Sequence, residues 1–154
     1  MTGTIAQRLA ELGVVLPDPP APAATYVPFV QSGALVFVSG QVSQKNGAFI
    51  RGRLGDDMEV AAGAEAARCC ALSLLAQVRH ACGDDLDRVV RVVKLTGFVN
   101  STPDFTDQPK VINGCSDFLV AVFGEAGRHA RSAVSAPSLP LGVAVEIEAI
   151  FEVR

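Results

Sequence analysis

The sequence VAVEIEAIFEV at positions 143–153 decides the fold. Successive side chains of a β-strand point to opposite faces of a sheet, so this two-residue alternation predicts a strand. The carboxylate face carries Glu146, Glu148 and Glu152. The opposite face is apolar and carries Val143, Val145, Ile147, Phe151 and Val153. The pattern therefore predicts one face packed on a core and one face of acidic side chains.

Two upstream segments have the three- and four-residue period of helices that could cover the apolar face. The first begins at Asp56 and ends at Gly83, and Asp56 and Asp57 are suited to capping its first turn. Its predicted buried stripe consists of Ala64, Ala67, Ala71, Leu74, Leu75, Val78 and Cys82. The second ends near Gly124, and its predicted apolar side consists of Val111, Cys115, Phe118, Leu119 and Val122.

The remaining apolar segments predict further strands. Residues 26–31 and 35–39 read as a hairpin with a turn at Ser32-Gly33, and residues 48–53 are a candidate third strand. Residues 88–99 and 131–136 read as two more strands. This order predicts an α+β sandwich, a mixed sheet with both helices on one face. Because the other face is left uncovered, we expect self-association as a homotrimer or dimer.

The chain of 154 residues is expected to form one domain over positions 1–154, with residues 1–20 as an N-terminal helix and linker. The helix, over residues 1–14, is amphipathic and has neither the charge layout nor the cleavage site of a secretory signal. No apolar run approaches the roughly 20 residues that cross a bilayer. We therefore expect a cytoplasmic protein that does not associate with membranes.

Charge and cysteine usage exclude two further classes of protein. The net charge is −3 and the 13 Lys and Arg residues are scattered, so nucleic acid is not an expected partner. The four cysteines form neither a CxxC pair nor a disulfide framework, and they read as buried thiols in a reducing compartment. Tight ligand pairs for zinc are missing, so no metal or cofactor is expected.

The residues that could carry chemistry have two readings each. Glu146 is either part of a solvated acidic face or a carboxyl whose partial burial raises its pKa enough for proton transfer. Arg131 either forms a surface salt bridge or grips a carboxylate with two parallel hydrogen bonds. Tyr26 and Ser39 are equally open, since a hydroxyl at a strand end is often only a local hydrogen bonder. No nucleophile elbow, histidine triad or phosphate loop occurs, which disfavours acyl and phosphoryl transfer.

A family resemblance lies in the segments YVPFVQSG at 26–33, LVFVSGQ at 35–41, and ARSAV at 130–134 followed by LP at 139–140 and VEIEAI at 145–150. From about Ala21 to the C-terminus the chain resembles the reactive intermediate deaminase family, also called the YjgF or Rid family. The closing segments are the most specific. The helix before Pro17 is similar to an extension found in a longer subgroup.

The resemblance implies a chorismate-mutase-like subunit of the bacillus type. Three such subunits would form a homotrimer whose sheets build a central barrel, with helices outside and clefts at the interfaces. The implied activity is hydrolysis of reactive enamines and imines such as 2-aminoacrylate and 2-iminobutyrate to a 2-keto acid and ammonia. That is a form of metabolite damage control.

The resemblance also assigns residues. Arg131 matches the family's carboxylate-binding arginine and Glu146 the glutamate that positions the attacking water. Ala133 stands where many members have cysteine, at a position that acts through its backbone carbonyl. The other matches to the cleft lining are Tyr26, Ser39, Gly40 and Asn113.

Three alternatives remain at this stage. The first is a non-catalytic module that binds small carboxylates or acts as a chaperone-like regulator, since some family members lack deaminase activity. The second is an endoribonuclease, a label some members carry, which an acidic chain without a basic groove argues against. The third is another enzyme on the same scaffold that acts on a different small unsaturated acid.

Overall fold

The computed structural model describes residues 3–21 and 24–154. Positions 1–2 of the predicted first helix and 22–23 of the predicted linker lie outside the described residues. Five strands form the main sheet: β1 (Phe29–Ser32), β2 (Leu35–Val42), β5 (Val89–Asn100), β6 (Ala130–Ala136) and β7 (Val145–Val153). A separate two-stranded sheet consists of β3 (Gln44–Lys45) and β4 (Ala48–Phe49).

The strand order in the main sheet is β1-β2-β7-β5-β6. Neighbouring strands are antiparallel except β5 and β6, which are parallel, so the sheet is mixed. Helices α2 (Val60–Ala81) and α3 (Gln108–Phe123) cover one face and enclose the core with it. The predicted α+β architecture, with a mixed sheet and two main helices, is confirmed.

The alternation predicted for the last strand is present in β7, at the centre of the sheet. Val145, Ile147 and Phe151 are fully buried under the helices, whereas Glu146 and Glu148 lie on the opposite face. Burying a side chain of this size contributes about 1.5–3 kcal/mol relative to leaving it exposed. The alternation therefore fixes the register of β7, because a one-residue slip would bury the carboxylates.

The face of the sheet without helices carries a row of apolar side chains. Val30 pairs with Phe37 in the neighbouring strand, and Phe37 pairs with Ile150 in the next. Val30 is 53% exposed and Phe37 42% exposed. This row is the apolar surface that the sequence predicts to be left uncovered.

Several local predictions are wrong. The first strand begins at Phe29 and not at residue 26, and the N-terminal helix ends at Glu11 and not at residue 14. Helix α2 begins at Val60 and not at residue 56, because the Asp57 carboxylate accepts a hydrogen bond from the Arg53 amide at 2.6 Å and closes a turn before the helix. Asp56 and Asp57 therefore do not cap it, and its N-cap, Glu59, makes no side-chain capping bond.

The predicted third strand over residues 48–53 is also mostly absent. Only Ala48–Phe49 forms a strand, in the small hairpin, and Arg51 makes one isolated bridge to Val143. The sequence pattern does not distinguish a two-residue hairpin arm from a strand of the main sheet.

Helix α1 (Thr4–Glu11) packs against α3, and its Leu9 is buried in the core. Its first amides are capped from a distance: the Asp87 carboxylate accepts from the amides of Thr4 at 2.8 Å and Ile5 at 2.9 Å. Arg8 donates from Nε to the Ala121 carbonyl at 2.9 Å. Within residues 3–21 and 24–154, no helix combines the length and apolar character that crossing a membrane requires.

Candidate functional site

A β-bulge brings Gly40 under the side chain of Glu146. Val38 pairs with Ala149 and Gln41 with Ile147, so β2 uses one residue more than β7 over this interval. Bulges bend a strand and re-aim side chains, and they are common beside active sites. A β-carbon on Gly40 would lie 3.0 Å from Cδ of Glu146 and 3.1 Å from its Oε2, so glycine provides the space for the carboxylate.

Glu146 itself is half-buried on the open face of the sheet. Burial raises the pKa of its carboxyl above the ordinary value, and the negative charge of Glu148 raises it further. Among the hydrogen bonds of residues 3–21 and 24–154, none involves this carboxyl group. Glu146 thus keeps its proton to a higher pH than an ordinary glutamate and has its oxygens available for a ligand or water.

A cavity of about 370 Å³ opens beside this carboxyl group. Tyr26, Gly40 and Glu146, three of the residues that the family resemblance assigns, line it together. Further lining residues include Pro20, Ala21 and Leu141. The volume lies at the low end of the range for small-molecule sites.

Ser39 is not among the cavity-lining residues, but it holds the segment next to Tyr26 in place. Its hydroxyl donates to the Val27 carbonyl at 2.8 Å and its amide to the Pro28 carbonyl at 2.9 Å. These two bonds hold the segment that carries Tyr26 against β2. From the sequence, Ser39 could either line the cleft or only make local hydrogen bonds. Within the single chain it makes local hydrogen bonds.

The remaining predicted residues form a second group between β6 and α3. Arg131 is partly buried and donates from Nη1 to the Ser116 hydroxyl at 3.0 Å and from Nη2 to the Pro109 carbonyl at 3.3 Å. Asn113 lies between these two contacts on the same face of α3, since positions four and three apart are neighbours on a helix. Ala133 follows on the same side of β6 and packs against the core.

Sequence reasoning missed the side chains that hold this second group. Ser116 also contacts His129, with 2.9 Å between Oγ and Nε2, and His129 Nδ1 lies 2.7 Å from the Gly127 carbonyl oxygen. The two residues are 13 positions apart and belong to different elements, so no local motif signals their contact.

The N-terminal segment is the second feature that the sequence did not assign to the site. Gln77, 1% exposed in α2, donates from its amide to the Pro20 carbonyl at 2.7 Å. That bond ties the end of the N-terminal extension to the core where Pro20 and Ala21 line the cavity. A Pro- and Ala-rich stretch gave no sign of this role.

The two groups do not face each other within one chain. Glu146 pairs with Phe98, and Phe98 pairs with Val134, so Val134 lies two strands away from Glu146. Arg131 precedes Val134 by three residues in β6. Ordinary strand spacings put the α-carbons of Glu146 and Arg131 about 14 Å apart. Arg131 pairs with the buried Leu95, so its side chain lies on the helix-covered face, opposite that of Glu146.

A larger cavity, of about 680 Å³, lies elsewhere, between the segment around Leu16, the β3–β4 hairpin and the first half of α2. None of the residues that the sequence assigns to the site lines it. Choosing a candidate site by cavity volume alone would therefore miss the Glu146 carboxyl and Arg131 guanidinium groups.

The sheet order and helix placement define a chorismate-mutase-like α+β subunit, and comparisons with known proteins agree. The family model described as "YjgF/chorismate mutase-like, putative endoribonuclease" matches residues 6–152. The chain therefore belongs to this family, and the predicted resemblance is confirmed.

Three relatives illustrate the similarity. Protein TCP17 of Trypanosoma cruzi is 49% identical over 99% of this chain and 96% of its own. The crystal structure of the protein Atu1372, of unknown function, from Agrobacterium tumefaciens is 48% identical with a TM-score of 0.90, covering 97% of this chain and 94% of that one. The crystal structure of a "putative endoribonuclease" from Shewanella oneidensis is 34% identical with a TM-score of 0.93, covering 98% and 100%.

Proposed function

We propose that this protein is a hydrolytic deaminase of reactive enamines and imines, of the 2-aminoacrylate and 2-iminobutyrate type, that yields 2-keto acids and ammonia. The observation that supports the proposal is the setting of Arg131. Its guanidinium group is held by two neutral oxygens, and no carboxylate pairs with it among the described residues. A fixed arginine of this kind suits the carboxylate that every such substrate carries.

The carboxylate clamp follows from the hydrogen-bonding capacity of arginine. The guanidinium group has five N–H donors, of which two are used within residues 3–21 and 24–154, so three are left for a ligand. Charge-assisted bonds between guanidinium and carboxylate are roughly twice as strong as neutral ones and fix orientation. Asn113, between the two anchors of Arg131, would contact the same end of the substrate, and the carbonyl of Ala133 would face the reacting water.

Glu146 is the proposed proton carrier. An enamine first tautomerises to its imine, and the protonated C=N carbon is an electrophile. The Glu146 carboxylate accepts a proton from water as the oxygen bonds to that carbon, and passes this proton to nitrogen. The C–N bond then breaks and ammonia leaves as the C=O bond of the 2-keto acid forms, and the hydroxyl proton returns to the Glu146 carboxylate, which releases it to the departing ammonia. Holding water and imine carbon in contact can supply several kcal/mol of barrier reduction. Tyr26 and Gly40 would shape the wall around the substrate.

The proposed site requires two chains. Because Arg131 and Glu146 lie on opposite faces of one sheet, they cannot contact one small substrate within a protomer. A homotrimer in which the open sheet faces form a barrel would bring the Glu146 group of one protomer to the Arg131 group of its neighbour. Burial of the exposed row around Phe37 would favour this assembly.

RNA cleavage, the activity named in the family description, is not the function we propose. Phosphate binding needs a basic surface, whereas the acidic Glu146 lines the cavity and Glu148 lies on the same face of β7. A cavity of about 370 Å³ also suits a small acid better than a nucleotide chain.

The test is turnover of 2-iminobutyrate, generated by an amino-acid oxidase, with the Arg131→Ala variant. We expect kcat/KM to fall about 100-fold, since charge-assisted bonds to the substrate are lost. The matched control is Arg128→Ala, which removes an exposed arginine of the same segment that pairs with Glu125 at 3.8 Å and should leave turnover unchanged.

Each outcome separates the proposal from its alternatives. Full activity in Arg131→Ala would show that Arg131 does not bind the substrate carboxylate. A wild-type protein that binds 2-keto acids by calorimetry but turns over no imine would instead be a non-catalytic carboxylate-binding module. Turnover of a different unsaturated acid in a substrate panel would assign another enzyme to the same scaffold.

A further inference from the structure

Arg131 stands at one end of a chain of hydrogen bonds that runs through Ser116 and His129 to the backbone. The distances are 3.0 Å from Arg131 Nη1 to Ser116 Oγ, 2.9 Å from Ser116 Oγ to His129 Nε2, and 2.7 Å from His129 Nδ1 to the Gly127 carbonyl oxygen. The four groups come from three different elements: α3, the short turn before β6, and β6 itself.

The last contact fixes the direction of the whole chain. A carbonyl oxygen only accepts, so Nδ1 of His129 must carry a proton. In the neutral ring Nε2 is then an acceptor, and the Ser116 hydroxyl must donate to it. That leaves the lone pairs of Ser116 Oγ for Arg131. Every donor points from the guanidinium group towards the backbone, an arrangement in which the bonds strengthen one another.

The neutral state of the ring agrees with its surroundings. Burial lowers the pKa of His129; the hydrogen bond to Gly127 opposes this, and the positive charge of Arg131 adds to it. The ordinary value of 6.5 is already below neutrality, so the ring is uncharged at pH 7.

We propose that Ser116 and His129 are positioning residues that aim the Arg131 guanidinium group at the substrate carboxylate. This inference rests on the proposed function. Without Ser116, Nη1 would lose the acceptor that fixes one edge of the guanidinium group. Without His129, the Ser116 hydroxyl would be free to rotate and to turn its hydrogen towards Arg131. Neither residue touches the substrate, and a hydroxyl whose lone pair is held by a cation is a poor nucleophile, so the pair is not a catalytic dyad.

The test combines substitution with a spectroscopic signature. We expect Ser116→Ala and His129→Ala each to raise KM for the imine and Kd for a 2-keto acid about tenfold, with kcat within about twofold, because the clamp is loosened while Glu146 is untouched. The double variant should match the single ones, since all act on one chain of bonds. Ser116→Thr and His129→Gln keep the required hydroxyl and acceptor and should restore KM.

The tautomer can be read without any substitution of the network. The chain has two histidines, so nitrogen NMR with a His80→Asn variant assigns the His129 signals. A proton on Nδ1 and a bare Nε2 are expected, and a proton on Nε2 would overturn the inference even if a variant failed to fold.

The outcomes also separate this inference from the proposed function. Unchanged KM and Kd in Ser116→Ala and His129→Ala, or additive effects in the double variant, would overturn the positioning role while Arg131→Ala still lost binding. If Arg131→Ala itself bound a 2-keto acid like the wild type, the proposed function would fail, and this inference with it.

Discussion

A β-carbon on residue 40 would press against the carboxyl group of Glu146, 3.0 Å from Cδ and 3.1 Å from Oε2. Gly40 has no positive φ, so its backbone accepts alanine, and the three atoms nearest to the added β-carbon all belong to Glu146. Glycine at position 40 therefore gives the Glu146 carboxyl group its room and is not needed for the local backbone conformation.

Gly40→Ala should therefore slow turnover about tenfold or more, since a catalytic group displaced by a fraction of an ångström is badly placed for reaction. Its melting temperature should stay the same or rise, because alanine restricts the unfolded chain. Steady-state kinetics and calorimetry measure the two effects. Combining it with Glu146→Gln should add little further loss; a full additional loss would mean that Gly40 acts through another group.

The raised pKa of Glu146 predicts the acid limb of the activity profile. The carboxylate is the form that accepts a proton from water, so kcat should fall as the pH drops through a value above the ordinary 4.5 of glutamate. Glu146→Gln should lower the rate about 100-fold and remove this limb. Profiles of kcat from pH 4 to 9 in ~1-unit steps would test both effects. A limb that persists in the variant would belong to another group.

The sequence predicted those parts of the fold that depend on side-chain periodicity. The alternation in β7 and the apolar stripe of α2 both encode burial. The alternation is found as predicted, and so is the stripe except at Ala64, which is only partly buried. The start of α2 was missed because Asp57 is equally able to cap a helix or close a turn, and the Arg53 amide decides between them.

The site was predicted only in part, for a related reason. Tyr26, Gly40 and Glu146 meet at one cavity, but Ser116 and His129 approach Arg131 through tertiary packing between elements. Gly114 was missed for the same reason. A β-carbon there would overlap the backbone carbonyl of Ala64, so glycine allows α2 and α3 to approach closely. A single glycine in a helical segment does not predict such a contact.

Assembly is tested at Phe37, 42% exposed in the middle of the apolar row. Phe37→Glu should convert the oligomer to monomers, because a charge enclosed at an interface without a partner costs several kcal/mol. Phe37→Leu keeps the apolar contact and serves as the control. Light scattering coupled to size-exclusion chromatography measures the mass. A monomeric wild type, or a Phe37→Glu variant of unchanged mass, would contradict the proposed interface.

The attachment of α1 should depend on Asp87. Backbone hydrogen bonds from Ile5 and Thr4 lower the pKa of its carboxyl below the ordinary 3.8. A lowered folded-state pKa stabilises the protein above the ordinary value, and this contribution is lost as the pH falls through the lowered one. Asp87→Ala should reduce the free energy of unfolding by about 1 kcal/mol at pH 7, as for other capping residues.

Thermal unfolding at pH 7 and at about pH 2 measures this effect, and the deficit of Asp87→Ala should shrink at the lower pH. Asp104→Ala removes an exposed carboxylate that caps no helix and provides the control. Equal stability of the two variants at pH 7 would show that α1 does not need its distant cap.

The bulge in β2 means that the site depends on the number of residues in this part of the strand as well as on their identity. Between Val38 and Gln41 the strand has one residue more than β7 over the same interval, and Gly40 is one of the two residues within it. A homologue one position shorter here would keep an unbroken ladder, the same acid and the same arginine. If the position that it lacks is that of Gly40, it would have no space for the carboxyl group. The number of residues between Val38 and Gln41 is therefore as informative as their identity.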